Sequence, residues 1–242
     1  MNNDKVDPGK KDKEMNLSFY KDGYSIASQN ITDFKSLTPL FKGMQIQYTE
    51  IGKLIQSFAQ RTHEQNKPIA CSKGCKWCCF QPVYLTTQEA ILINEFVLQS
   101  FDKAKLASLK SKAQKKLKKT KDLTEEGKQK IKHACPFLFE NACSIYPVRP
   151  MACRIYLSSD VESCKRNYEA TNKKDEFPAL FDFILRAGRY MNEGFVGFLK
   201  GKGRKIEEKT MEEFTDMLLS NPDYFESWLK QDSFNDEAKE TP

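Results

Sequence analysis

Apolar positions recur at helical spacing along most of the chain and lose that order only in its middle. Between Met44 and Gln65, the residues Ile46, Ile51, Leu54, Ile55 and Phe58 fall near a 3.6-residue period, which predicts an amphipathic helix. Thr86 and Glu89 have the spacing of a capping box ahead of Ile91, Leu92, Ile93, Phe96 and Val97, so another helix begins there. Leu106, Leu109, Ala113 and Leu117 form a narrow apolar stripe on a lysine-rich segment, which predicts a largely exposed helix. Past Phe177, the residues Phe181, Phe183, Ile184, Leu185 and Tyr190 support a further helix. Thr210 with Glu213 caps the next, and Asn221-Pro222 opens one more. Near the start, Lys21-Asp22-Gly23 lies between two short runs with aromatics and gives a turn signal for a hairpin over 17–27.

The expected fold is therefore mainly α, or α+β if that small hairpin forms. It is a single compact domain over residues 17–231, with a lysine-rich helical insert at 103–132 and C-terminal helices at 177–231. Residues 1–16 are polar and read as a disordered tail, and 232–242 as a frayed end. The middle, where the helical period fails, is rich in Pro and aromatics and predicts short turns.

Composition narrows the class. The chain has 242 residues, 39% hydrophobic and 30% charged, which suffices for one core. No apolar run approaches the roughly 18 residues of a membrane span, so no membrane insertion is expected. No apolar stretch follows the first positive charges, so the N-terminus does not read as a secretory signal and the expected location is cytoplasmic. Of the net charge of +6, the segment 103–132 alone contributes +9, with twelve lysines against Asp122, Glu125 and Glu126. The basic character is thus local, and a nucleic-acid partner is not favoured. The segment has no arginine, and no aromatic follows Phe101, although base readout and stacking would favour both.

The irregular middle holds every cysteine. Cys71-x3-Cys75-x2-Cys78-Cys79 places four thiols within nine residues, and Cys135-x7-Cys143-x9-Cys153-x10-Cys164 supplies four more. Clusters this tight let one loop wrap thiolates around a metal, with sulfur about 2.3 Å from zinc. In a reducing compartment they favour metal ions over disulfides as partners. Gly74 precedes Cys75 where a tight turn needs positive φ. If the chain is extended at Cys78-Cys79, the two sulfurs point to opposite sides, so they would serve different metals or one would bridge. Thiolates in such number call for nearby cations, and Arg149 and Arg154 flank Cys153 as candidates for a supporting shell. His133 could replace a thiolate as ligand, and Trp77 could shield the cluster.

Cys71-x2-Gly74-Cys75-x2-Cys78-Cys79, Cys135-Pro136-Phe137-Leu138, and Cys143-x-Ile145-Tyr146-x2-Arg149-Pro150-x2-Cys153-Arg154-x-Tyr156 together resemble the YkgJ-type cysteine-cluster family of zinc- or iron-chelating proteins. The resemblance implies zinc or iron on all eight cysteines: Cys71, Cys75, Cys78, Cys79, Cys135, Cys143, Cys153 and Cys164. It leaves the presence of enzymatic activity open. Two rival classes compete with plain metal binding. One is an iron-sulfur or iron-dependent enzyme, either related to the flagellin lysine methylase that shares this kind of domain or radical-S-adenosylmethionine-like. Cys71-x3-Cys75-x-Trp77-Cys78 resembles the radical signature, although no alternating strand-helix pattern accompanies it. The other is a zinc-containing nucleic-acid-binding module built on the lysine segment.

Overall fold

The computed structural model describes residues 8–170 and 177–230. Residues 1–7 of the expected N-terminal tail, the whole expected C-terminal tail with the preceding Gln231 (231–242), and 171–176 lie outside the described residues. In chain order the helices are α1 (Pro8–Asn30), α2 (Thr38–Glu64), α3 (Thr87–Ser100), α4 (Lys103–Thr120), α5 (Glu125–Lys130), α6 (Met151–Ile155), α7 (Val161–Glu169), α8 (Asp182–Gly201), α9 (Met211–Ser220) and α10 (Tyr224–Leu229). Two antiparallel pairs join β1 (Tyr84–Thr86) to β4 (Glu208–Thr210) and β2 (Leu138–Phe139) to β3 (Ala142–Cys143). The fold is mainly α with one small hairpin. Among the described residues no helix is long and apolar enough to cross a membrane.

The hairpin is not where the turn signal put it. Residues 17–27 lie inside α1, which starts at Pro8 and so also takes in half of the stretch read as a tail. Gly23 explains the difference. A Cβ there would overlap the carbonyl oxygen of Met191, and one at Gly194 would overlap that of Tyr20, so these glycines let the α1 and α8 backbones touch. The two helices run parallel, because Asp12 meets Arg186, Tyr20 meets Gly194 and Tyr24 meets Phe198 in the same order along each. Gly23 is thus used for close approach and not for a turn.

Helices α1, α2 and α8 enclose a first core that includes Leu40, Met44, Ile51, Ile184, Phe195 and Trp228. A second core lies among α3, α4 and α9 and includes Ile93, Val97, Leu109, Phe137, Phe214 and Leu218. Both capping boxes form as the sequence predicts. Glu89 closes on Thr86 at the start of α3, and Glu213 on Thr210 at the start of α9. Each threonine also ends a strand of the β1–β4 pair, in the register Tyr84↔Thr210, so the pair aligns the starts of both helices.

The lysine-rich helix packs more closely than its stripe suggests. Its buried positions are Leu109, Ala113, Lys116 and Thr120, so a lysine stands on the inner face where Leu117 was expected. Lys116 Nζ lies 3.2 Å from Glu212 of α9, and the two side chains are 5% and 1% exposed. A buried charge of this kind is held only when its partner is present. Lys112 sits over the Phe139 ring, 3.4 Å from its centre, and donates to the Leu138 carbonyl at 3.1 Å, which ties α4 to the hairpin.

The glycine contact yields a paired prediction. Gly23→Ala forces the α1 and α8 backbones apart and should lower stability by about 2 kcal/mol or more. Gly52→Ala, in α2 with open space around it, should raise stability by about 0.5–1 kcal/mol through helix propensity. Urea unfolding midpoints of the two variants check this. Equal effects at both positions would show that close approach at Gly23 is not needed.

Candidate metal centre

The first cysteine group lies on the connection between α2 and β1. The Ala70 N–H donates to the Ser158 carbonyl at 2.9 Å and fixes the entry of the segment. Cys75 N–H closes a turn on the Ser72 carbonyl at 3.1 Å, and Gly74 takes φ +92°, the positive-φ turn its position predicts. Trp77–Phe80 then forms a 3-10 turn packed on α7, with Trp77 and Phe80 both against Tyr168. This turn corrects the expectation for the adjacent cysteines. In a 3-10 turn successive side chains diverge by about a third of a revolution and not by half. The Cys79 S–H accordingly donates to the Cys78 sulfur.

The second group is spread over one connection and three short elements. Cys135 is buried, and its N–H donates to the Cys79 carbonyl at 2.6 Å, which joins the two groups directly across 55 intervening residues. Cys143 ends the hairpin. Its two loop residues, Glu140 and Asn141, take φ of 48° and 60°, the left-handed conformation of a tight two-residue turn. Asn141 accepts from Lys76 Nζ at 2.7 Å, a second link between the groups. Cys153 sits in α6, and Cys164 in α7, whose first N–H groups are capped by Asp160.

The interactions among the thiols fall into two overlapping sets. Burial pushes the Cys71 thiol up, the Ser158 N–H lowers it, and Cys75, Cys164 and Cys78 raise it further as neighbouring charges. Cys164 is likewise raised by burial, eased by a hydrogen bond with Ser158, and raised again by Cys75 and Cys78. Elsewhere, burial pushes Cys135 up to about 12, with Lys116 opposing and Cys143 adding to the rise. Burial also raises Cys153, which then meets Cys135, Cys78 and Cys143. Cys79 is raised by its bond to Cys78, by burial, and by Cys78, Cys135 and Cys153 as charges. One set thus gathers Cys71, Cys75 and Cys164, and the other Cys79, Cys135, Cys143 and Cys153. Cys78 acts on both. It is also the exception in direction: the Cys79 hydrogen bond, aided by Arg149, holds it down at about 7 against the effect of burial.

The two arginines have different surroundings. Arg149 lowers Cys78, Cys143 and Cys153, so its guanidinium faces the thiols. Arg154 donates to the carbonyls of Arg149 at 2.9 Å and Pro147 at 2.5 Å and lies over the Tyr48 ring, so it fastens the loop that carries Arg149. His133 sits near Lys119, Lys116 and Glu212.

Cys75, Cys78, Cys79, Cys135, Cys143 and Cys153 line one cavity of about 630 Å³. Among the described residues, no three Cys, His, Asp or Glu side chains converge closely enough to enclose an ion as they stand. The sulfurs share a wall without forming a closed chelate. Three residues that sequence reading missed hold this arrangement. Ser158 joins Cys71 and Cys164, with its N–H 3.4 Å from the Cys71 sulfur. Glu89 accepts from Met151 N–H at 2.7 Å, two residues before Cys153. Gln81 receives the Tyr156 hydroxyl at 3.0 Å, joining the first group to the loop after Cys153. Glu89 had a local signal only for its capping role, and Ser158 and Gln81 had none.

Residues 70–177 match the CxxCxxCC family, described as a "putative zinc- or iron-chelating domain". The match spans all eight cysteines, and it is the family that the cysteine motifs resemble. No curated protein and no solved structure matches the chain.

The depressed Cys78 thiol sets an ordering of reactivity. At pH 7 about half of it is thiolate, against about 1% for an unperturbed thiol near 9, and the thiolate is the reactive form. At the shortest times after metal removal, while the fold is still intact, iodoacetamide should therefore modify Cys78 ahead of Cys135, with a rate that rises through pH 7. Peptide mass mapping reads this, and equal labelling of Cys78 and Cys135 at pH 7 would contradict it.

Proposed function

We propose that this chain binds zinc or iron as a multinuclear centre on Cys71, Cys75, Cys78, Cys79, Cys135, Cys143, Cys153 and Cys164, and that the metal holds the middle of the fold together. One observation supports the reading: six cysteines from two distant segments line one cavity, and the remaining two, Cys71 and Cys164, lie near enough to Cys75 and Cys78 for their charges to act on one another. The donor chemistry fits, since clustered thiolates are the soft ligands that zinc and iron-sulfur centres take. A bound metal would supply a Lewis acid or, if iron, an electron-transfer centre. The chain's own residues supply the rest. Arg149 offsets thiolate charge, Arg154 fixes the loop that presents Arg149, and Ser158 orients Cys71 and Cys164. All eight cysteines are free thiols, the form a reducing compartment such as the cytoplasm maintains.

Two thiol sets sharing Cys78 would call for more than one metal. Protein purified without air should carry about two ions, or one polynuclear cluster, per chain. Cys79→Ser and Cys153→Ser should each lower the count. A visible spectrum separates a brown iron-sulfur protein from a colourless zinc one. One ion per chain, unchanged in Cys153→Ser, would overturn the shared centre.

Metal removal tests the structural role. Structural zinc supplies roughly 10–16 kcal/mol, as much as the roughly 5–15 kcal/mol of an ordinary domain. A chelator should therefore lower the melting temperature and expose the 135–164 amides to hydrogen exchange. The α1–α8 contact, which is built on glycine packing, should stay protected at low temperature. A metal-free protein with unchanged melting would contradict this role.

A further inference from the structure

The cavity beside the thiols is far larger than metal ions require. An ion held by sulfurs about 2.3 Å away fills a small part of 630 Å³, whereas that volume lies within the roughly 300–1,000 Å³ of small-molecule sites. Besides the thiols, the lining includes the largely apolar side chains of Pro82, Val83, Tyr84, Ile145 and Met211. Apolar walls with one or two placed polar groups are the pattern of a ligand pocket.

The polar groups identify the ligand's head. Tyr156 gives its hydroxyl to Gln81, Tyr84 gives its own to Glu125, and Asn141 is occupied by Lys76. Arg149 differs from these. Its guanidinium carbon lies over the Tyr146 ring, 4.2 Å from the centre. Its Nε is buried with no hydrogen-bond partner, and among the described residues no carboxylate lies within ion-pair distance of it. Lys73 and Glu208, both exposed, also line the cavity, and their charges oppose each other.

We propose that this cavity binds a small molecule with an apolar body and a single carboxylate, the carboxylate on Arg149 and the body against the Pro82–Tyr84 wall. The proposal rests on reading the thiols as a metal centre, because metal cations must take up the thiolate charge before Arg149 can receive an anion. A planar two-oxygen head matches the guanidinium fork. A phosphate dianion would set a second charge beside the thiolates, and the one further cation of the lining, Lys73, is opposed by Glu208, so a monocarboxylate is the better match.

The test uses metal-loaded full chain and two probes of one shape, 4-phenylbutyrate and its neutral amide, 4-phenylbutanamide, in titration calorimetry. The carboxylate should bind about tenfold or more tightly than the amide, as one charge-assisted contact provides. Val83→Trp fills the apolar wall away from the sulfurs and should abolish binding of both probes while metal content stays unchanged. Arg149→Lys keeps the charge without the fork and should narrow the preference to a few-fold. Absence of heat with either probe, equal affinity for both, or unaltered binding in Val83→Trp would each overturn the proposal. The probe pair decides on the unmodified chain even if a variant does not fold. Metal analysis of the same samples separates the two readings: a chain that carries metal but binds neither probe sinks the pocket alone, and a chain without metal sinks the centre beneath it.

Discussion

Glu89 carries a carboxylate that is 2% exposed, and a charge so placed persists only if hydrogen bonds meet its oxygens. One oxygen closes the capping box, taking the Thr86 N–H at 3.0 Å and hydroxyl at 2.8 Å. The other takes the Met151 N–H at 2.7 Å and the Tyr48 hydroxyl at 3.3 Å. A single side chain therefore fixes β1 and α3, which follow the first cysteine group, to α6, which carries Cys153, and to α2, which leads to Cys71. Without it the Met151 N–H would be a buried orphan, and the loop of Arg149 and Cys153 would lose its anchor. With the Cys135–Cys79 backbone bond and the Lys76–Asn141 contact, this carboxylate sets how the two cysteine groups lie against each other.

Given that register, the thiols crowd one another. Burial raises Cys71, Cys135, Cys143, Cys153 and Cys164, and neighbouring sulfurs raise them again. Such a cluster resists ionisation unless positive charge enters it. Only Cys78 is held below the ordinary thiol range, because Cys79 donates to it and Arg149 lies near. Deprotonation therefore has a natural starting point at the one sulfur that belongs to both sets. A first cation taken there would favour ionisation of the thiols around it.

Local features of this fold were legible in the sequence and distant ones were not. Both capping boxes and the Gly74 turn depend on residues within one or two turns, and each formed as read; α2 and α8 formed too, but of their expected stripes only Ile51 and Ile184 are fully buried. Gly23 misled because its role depends on Met191, 168 positions away, and nothing beside it in sequence signals that contact. Ser158 and the second oxygen of Glu89 likewise act across 87 and 62 positions. Cys78-Cys79 misled differently. Opposed side chains follow from an extended backbone, but Trp77–Phe80 coils into a 3-10 turn, and that changes which sulfurs can meet.

The lysine-rich helix gains a different meaning once Lys116 is placed. A helix whose lysines were all solvated could be looped out between the cysteine groups without touching them. Lys116 instead stands on the buried stripe beside Glu212, and its charge lowers Cys135 while Glu212 raises it. Arg149 reaches the thiols from the loop before α6, and Lys116 from α4, so compensating charge arrives from two separate elements. Cys135, the buried thiol of its set, is the one that Lys116 lowers. Position 116 is thus set by the cluster and by Glu212, whereas Lys115, Lys118 and Lys119 are exposed. Lys116 is the lysine of this helix that is buried, and it is the register of the stripe, not the charge of the segment, that distinguishes it.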